Sequence, residues 1–477
     1  MKRLAKFPFT DAQAHALWVG LAIALGAVVI GALLGLAGPI ITVGALLGLA
    51  AGLFVLSRLE FALWVVLAVI LLLPFASLPF RVVFTPTFLD LAMLAAVFVY
   101  ALQWMTGERR RLTTTPAHAP IVIFIALLIF SFVAGLPNGP LTSNLIRQFA
   151  EMVLSIAFAL VLVDVLDTRQ KLERIVRLML IGGTLTALIG ITLYALPDAT
   201  AERALSALRV FGYPAGGVIR YIEDNPENAE RAVATSVDPN ALGGTLAMLG
   251  ALAAPQLLTR RNLFGNRGLA LIGFGLIVIC LVLTFSRGAL AALVAGLLVI
   301  AALRYRRLLL VLALGGALLL TLPAAQGYVE RFVQGVQGED LATQMRFGEY
   351  KDALTLIRRY PWLGVGFAGT PEADIYLGVS NAYLLIASKM GLVGLAGFGV
   401  VMATVLGWTL VRRRELAADE SLAAIGLGLF AGLVAALTVG IFDHYFFNLA
   451  FQAAGALFWI FVGLCLAANR IAATNQF

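Results

Sequence analysis

The chain alternates long apolar runs with short polar breaks from one end to the other. Runs of about 18 or more apolar residues predict membrane-spanning helices, because in lipid only a helix or closed barrel satisfies every backbone polar group. They fall at 15–36, 39–56, 61–79, 89–105, 120–136, 145–166, 175–196, 240–258, 269–286, 288–303, 308–325, 382–411, 422–442 and 446–468. The pattern predicts an all-α polytopic integral membrane protein with about 14 transmembrane helices. Residues 1–477 read as a single membrane domain, with no internal repeat.

Composition agrees with the pattern. Of 477 residues, 61% are hydrophobic and 13% charged, and the mean hydropathy is +0.96; a soluble domain carries roughly a quarter charged residues. The N-terminal MKRLAKF and its apolar sequel resemble a signal peptide, but the run is long and a second follows closely, so an uncleaved first helix is expected. Cys280 and Cys465 both lie inside predicted spans and are expected to pack rather than pair.

The formal charge of +8 would point to nucleic acid in a soluble protein. Its distribution points instead to topology. Lys2, Arg3 and Lys6, Arg109 to Arg111, DTRQKLERIVR, TRRNLFGNRG, RYRR and RRRELAADE fall in alternate connections, and the intervening short loops are nearly free of Lys and Arg. The positive-inside rule then places both termini in the cytoplasm.

Two long segments, 197–239 and 326–381, land on the extracytoplasmic side. They carry Arg203, Arg209, Arg220 and Arg231, and Arg331, Arg346, Lys351, Arg358 and Arg359. Long loops cross regardless of charge, yet basic residues there invite a reason. Within the second, FGEYKDALTLIRRYP sets Phe347, Tyr350, Ala353, Leu354 and Ile357 at helical spacing. That predicts an interfacial amphipathic helix on the outer leaflet, ended by Pro361.

Arg287 interrupts the run LVLTFSRGALAALVAG between two predicted spans. The simplest account is a snorkelling arginine at a hairpin tip. It also faces the same compartment as both basic loops, so it can converge with Arg231 or Arg346 into a fork-shaped donor array suited to phosphate or diphosphate. The anion available at that depth is a lipid-linked phosphate headgroup.

Four stretches together resemble the O-antigen ligase and polymerase superfamily of bacterial envelope glycosyltransferases. RAVATSVDPNALGGTLAML (231–249) is similar to the family's Arg, Thr and Pro-Asn lead-in to a span, and LTFSRGALAALVAG (283–296) to its Ser-Arg-Gly hairpin. MRFGEYKDALTLIRRYPWLGVGFA (345–368) and SNAYLLIASKMGLVGLAGF (380–398) resemble its arginine-bearing helix, Pro-Leu-Gly-Val-Gly turn and Asn-x-Tyr-Leu segment. The likeness covers roughly 230–465, with FDHYFFN (442–448) adding to it.

The resemblance implies a GT-C-type helical bundle in a bacterial inner membrane, working without cofactor or metal ion. It also implies a polyprenyl-diphosphate-linked oligosaccharide as donor and a glycan acceptor, on lipid A core in ligases or on a second lipid-linked repeat in polymerases. Arg287 and Arg346, with Arg231, would hold the diphosphate; Asn240, Asn381 and Tyr383 would contact acceptor or glycan. The expected reaction is an inverting glycosyl transfer, with arginines stabilising the leaving group and a general base taking the acceptor proton.

The base departs from the family pattern. Ligases carry a histidine immediately before the Asn of Asn-x-Tyr-Leu, where this chain has Ser380, a hydroxyl that is no base at neutral pH. His15 and His118 lie near predicted inner ends of spans, which leaves His444; Glu349, Asp352, Glu372 and Asp374 are further carboxylate candidates. Ser380 tilts the expectation toward a polymerase or atypical transferase. A transporter or flippase is the rival class, and would place ionisable residues near the bilayer midplane. Only Glu151 and Asp164 in 145–166 approach that description. A non-catalytic lipid-glycan-binding member is the third alternative.

Overall fold

A computed structural model of the chain is built almost wholly of helices. It describes residues 11–81, 83–321, 341–371 and 379–474, with a few positions between 326 and 338. Lys2, Arg3, Lys6, Arg331, Glu372, Asp374 and the side chain of His15 lie outside the described residues. In chain order the helices are α1 (Asp11–Ser57), α2 (Leu59–Leu72), α3 (Phe88–Met105), α4 (His118–Ala134), α5 (Ser143–Val165), α6 (Arg169–Ala195), α7 (Asp198–Ser206) and α8 (Pro239–Leu258). Then come α9 (Arg267–Leu283), α10 (Arg287–Leu303), α11 (Arg307–Thr321), α12 (Leu341–Arg359), α13 (Ala382–Val411), the single turn α14 (Arg413–Leu416), α15 (Glu420–Phe442) and α16 (Gln452–Thr474).

Seven of these, α3, α5, α6, α8, α13, α15 and α16, are long and apolar enough to cross a membrane by length and composition. Shorter apolar helices, among them α4, α9 and α10, coincide with other predicted runs.

The chain divides into two compact units, Met1–Phe61 and Ala62–Phe477. In the first, α1 runs through both predicted spans 15–36 and 39–56, broken at Gly38 (φ 80°, ψ 169°) just before Pro39. Proline cannot donate to the helical ladder, so the break falls there. Trp18, Leu25 and Val28 of this unit are exposed, as suits side chains whose solvent is lipid.

In the second unit, α8, α15 and α16 are the most enclosed helices. Helices α8 and α10 pack on α15, and α5 packs on α16. Both carboxylates of the predicted span 145–166 lie within hydrogen-bond reach of an arginine. Glu151 pairs with Arg147 at 3.1 Å, which also holds Asp90 at 3.0 Å. Asp164 pairs with Arg109 at 3.2 Å and accepts from the Tyr100 hydroxyl and the Thr113 amide. The Arg147–Asp90 pair and the Tyr100–Asp164 bond each tie α3 to α5.

Helix α13 is broken at Gly391 (φ 69°, ψ −176°). The loop after α12 fills the break: Val365 and Gly366 donate to the carbonyls of Ser388 and Lys389, and Leu392 donates to that of Pro361. A Cβ on Gly391 would lie 2.2 Å from the Trp362 backbone. Gly391 serves this backbone crossing, since only glycine takes this conformation without steric cost. Helix α12 buries Ala353 and Leu356 and leaves Phe347 and Leu354 exposed, so its apolar positions divide between the bundle and the outside.

Candidate functional site

The site assembles around the turn that precedes Arg287. Helices α9 and α10 are separated only by Thr284, Phe285 and Ser286, with Phe285 at φ 51°. The fully buried Thr284 hydroxyl donates to the Leu281 carbonyl at 2.6 Å and accepts from the Ser286 amide at 3.2 Å. A non-glycine residue in the left-handed region is strained and persists only where its surroundings hold it. Arg287 is thereby the first residue of α10. Its N-cap, Ser286, makes no side-chain cap bond, so the capping hydroxyl does not compete for the first amides of the helix. Such a terminus favours an anion.

Arg231 reaches the same turn from the segment that precedes α8. It lies on a two-residue strand, β2 (Glu230–Arg231), paired antiparallel with β1 (Arg220–Tyr221). Its Nε donates to the Thr284 carbonyl at 2.8 Å, and its Nη2 to Asn240 Oδ1 at 2.7 Å. The Ala232 amide adds a bond to the Leu283 carbonyl. Asn240 is held in place by Asp238, which caps α8 by accepting from the amides of Asn240 and Ala241 at 2.9 and 2.7 Å.

Arg287, Arg346, Arg231 and Asn240 line one cavity of about 100 Å³, together with Glu223, Asp443, Tyr445 and the first-turn residues Gly288 and Ala289. Arg287, Gly288 and Arg346 also line a second cavity of about 330 Å³, whose other walls include Phe347, Tyr350, Ile441, Phe442 and Asn381. The first is mainly polar and the second mainly apolar, and the two arginines belong to both.

Electrostatics tie the polar cavity together. Burial holds the Tyr445 hydroxyl well above its ordinary value; Asp443 and Asp238 push the same way, against Arg346 and Arg231. The phenol therefore stays protonated as a donor. Its ring lies against Gly244 of α8, where a Cβ would come 2.5 Å from the hydroxyl oxygen. Burial likewise raises the Asp238 carboxyl and the Tyr350 hydroxyl.

The remaining sequence candidates have other settings. Ser380 sits beside the apolar cavity, its amide donating to Glu349 Oε2 at 2.8 Å and its carbonyl accepting from Tyr350 at 3.1 Å. Asn381 caps α13 through the Leu384 amide and donates to the Ile441 carbonyl. Tyr383 donates to the Leu437 carbonyl at 2.6 Å and lines neither cavity. His444 also lines neither; its ring meets Phe451 edge-on, and Nδ1 lies 3.0 Å from Asp443 Oδ1 without the alignment of a hydrogen bond. Asp443, Tyr445 and Glu223 were not among the sequence candidates for binding or catalysis. The one available signal for the first two was their adjacency to His444.

A multi-pass helical membrane protein with a basic cavity at one end of its bundle is the class these observations define. Residues 272–399 match the family described as O-Antigen ligase, which supports membership of the O-antigen ligase superfamily. The matched stretch includes Arg287, Arg346, Glu349, Ser380, Asn381 and Tyr383 and leaves Arg231, Asn240 and His444 outside it. No curated protein matches the chain.

Proposed function

We propose that the chain is a glycosyltransferase of the ligase or polymerase kind, moving a polyprenyl-diphosphate-linked glycan onto a sugar hydroxyl at the extracytoplasmic face of a bacterial inner membrane. On this reading about 14 spans form a GT-C-type bundle, both termini are cytoplasmic, and 197–239 and 326–381 are its extracytoplasmic loops. The observation that carries the reading is the pair of adjoining cavities. Arg287, Arg346 and Arg231 surround the polar one beside the start of α10, and Arg287 and Arg346 also border the apolar one. A diphosphate joined to a hydrocarbon chain matches that succession.

In the reaction, the acceptor oxygen forms a bond to the anomeric carbon as the bond from that carbon to the diphosphate oxygen breaks. The diphosphate leaves with the electron pair, and guanidinium groups already positioned there stabilise the growing charge. A single displacement of this kind inverts the anomeric centre. The acceptor proton passes to the pair Asp443 and His444, of which Asp443 faces the polar cavity. Glu349 orients Ser380, Tyr350 and Asn381 border the hydrocarbon side, and Asn240 fixes Arg231.

The test uses the purified full chain in liposomes with a polyprenyl-diphosphate oligosaccharide and no nucleotide sugar or ATP. Elongation or transfer of the glycan is expected, and Arg287→Ala and Arg346→Ala each abolish it while the protein still inserts. Solute flux that survives both substitutions, without transfer, would establish a transporter instead.

A further inference from the structure

The opposite end of the same helices carries a second basic site. Helix α10 begins at Arg287 in the polar cavity and ends at Leu303, about 25 Å away at roughly 1.5 Å per residue. There, the end of α10, the end of α13 and the start of α15 enclose a cavity of about 330 Å³. Leu303, Leu410, Leu427 and Phe430 supply apolar wall, and among the described residues Arg304, Arg413 and Arg414 are the charged ones in the lining.

Three features identify its occupant. All three arginines are exposed, and none is ion-paired to a carboxylate among the described residues; their neighbour Arg412 pairs instead with Glu415 at 2.7 Å. Like charges gathered round an apolar hollow repel unless an anion joins them. The one hydroxyl in the wall, Thr409, is already committed: it donates to the Val405 carbonyl and accepts from Asn469. The interior thus offers a ligand dispersion contacts and no free hydrogen-bonding group from that side chain. Finally, Leu303 and Leu410 are each 39% exposed, so the apolar wall continues onto the outer surface of the bundle.

We propose that this cavity binds one anionic glycerophospholipid of the surrounding bilayer, its phosphate among Arg304, Arg413 and Arg414 and an acyl chain along Leu303, Leu410 and Phe430. Arginine clusters between helix ends at a membrane surface recognise such headgroups. A free phosphate would leave the apolar wall unused, and a neutral lipid would leave the three charges uncompensated. The proposal depends on the apolar helices lying in a membrane and is independent of glycan transfer.

Native mass spectrometry of the detergent-solubilised full chain, titrated with dioleoylphosphatidylglycerol or dioleoylphosphatidylcholine, tests it. One phosphatidylglycerol should be retained preferentially. The triple substitution Arg304→Gln, Arg413→Gln, Arg414→Gln should lower its retention roughly tenfold or more, at unchanged elution volume and helical circular dichroism. Leu427→Trp keeps every charge but fills the hollow, and should lower retention as well. Equal retention of the two lipids by the wild-type chain overturns the proposal. So does undiminished phosphatidylglycerol retention in the folded triple variant or, should that variant fail to fold, in Leu427→Trp.

Discussion

Arg231 Nη2 donates to Asn240 Oδ1 at 2.7 Å, and this bond ties the β1–β2 hairpin to the first turn of α8. The same guanidinium holds the turn before Arg287 through the Thr284 carbonyl. Asn240→Ala removes one of these holds. Turnover should fall roughly tenfold, with KM for the lipid diphosphate rising more than kcat falls. Asn240→Asp preserves an acceptor but adds a negative charge beside the bound anion, so its KM should be higher still. Steady-state kinetics in liposomes decide the point; unaltered constants for both variants would remove Asn240 from the site.

The tip between α15 and α16 separates two roles. Asp443 lines the polar cavity, whereas His444 turns toward Phe451. Asp443→Asn should lower kcat by a factor on the order of 100 or more, as loss of a general base does, with binding of the lipid diphosphate retained. His444→Ala should cost less, because His444 acts next to the carboxylate rather than on the acceptor. If His444→Ala is the more damaging change, the order of proton transfer drawn here is wrong.

Gly391 makes a structural prediction independent of chemistry. Alanine there must hold φ near 69° with its Cβ 2.2 Å from the Trp362 backbone. Gly391→Ala should destabilise the protein by roughly 2 kcal/mol or more, through strain and displacement of the loop seated in the break. Thermal or denaturant unfolding measures it; a midpoint equal to wild type would mean the loop does not close on α13 as described.

These cases show where the sequence was legible. Arg287 stood out because a guanidinium inside an apolar run demands a helix end or a partner, and the structure has it opening α10. The runs for α8, α13, α15 and α16 were plain, since each satisfies its own backbone locally. The crossing at Gly391 was not, because a glycine in a predicted span reads alike whether it faces another helix or a loop 29 residues earlier, at Trp362. Nor was the choice between Asp443 and His444. Periodicity orients side chains within a helix, but α15 ends at Phe442, and beyond it no repeat says which neighbour faces inward. Glu223 of the 197–239 segment was equally hidden, having no hydrophobic pattern around it.

The hairpin that carries Arg231 should respond to pH. Burial, and then the negative charge of Asp198, raise the Glu230 carboxyl from 4.5 to about 7. A carboxyl raised in this direction holds its proton more tightly folded than unfolded. Its contribution therefore favours the folded state below the ordinary value, declines as pH rises from 4.5 to about 7, and is gone above that range. Comparison of unfolding midpoints for wild type and Glu230→Gln should show the wild type losing ground to the variant across this window. A difference between the two that is flat with pH would contradict the environment described for Glu230.

The central claim is that Arg287 and Arg346 grip one diphosphate, and a double-mutant cycle on transfer by the purified chain tests it most directly. Arg287→Gln and Arg346→Gln should each lower kcat/KM by roughly 100-fold. Together they should lose far less than the product of the two, because groups acting as a unit are not additive. Near wild-type transfer by either single variant would contradict it.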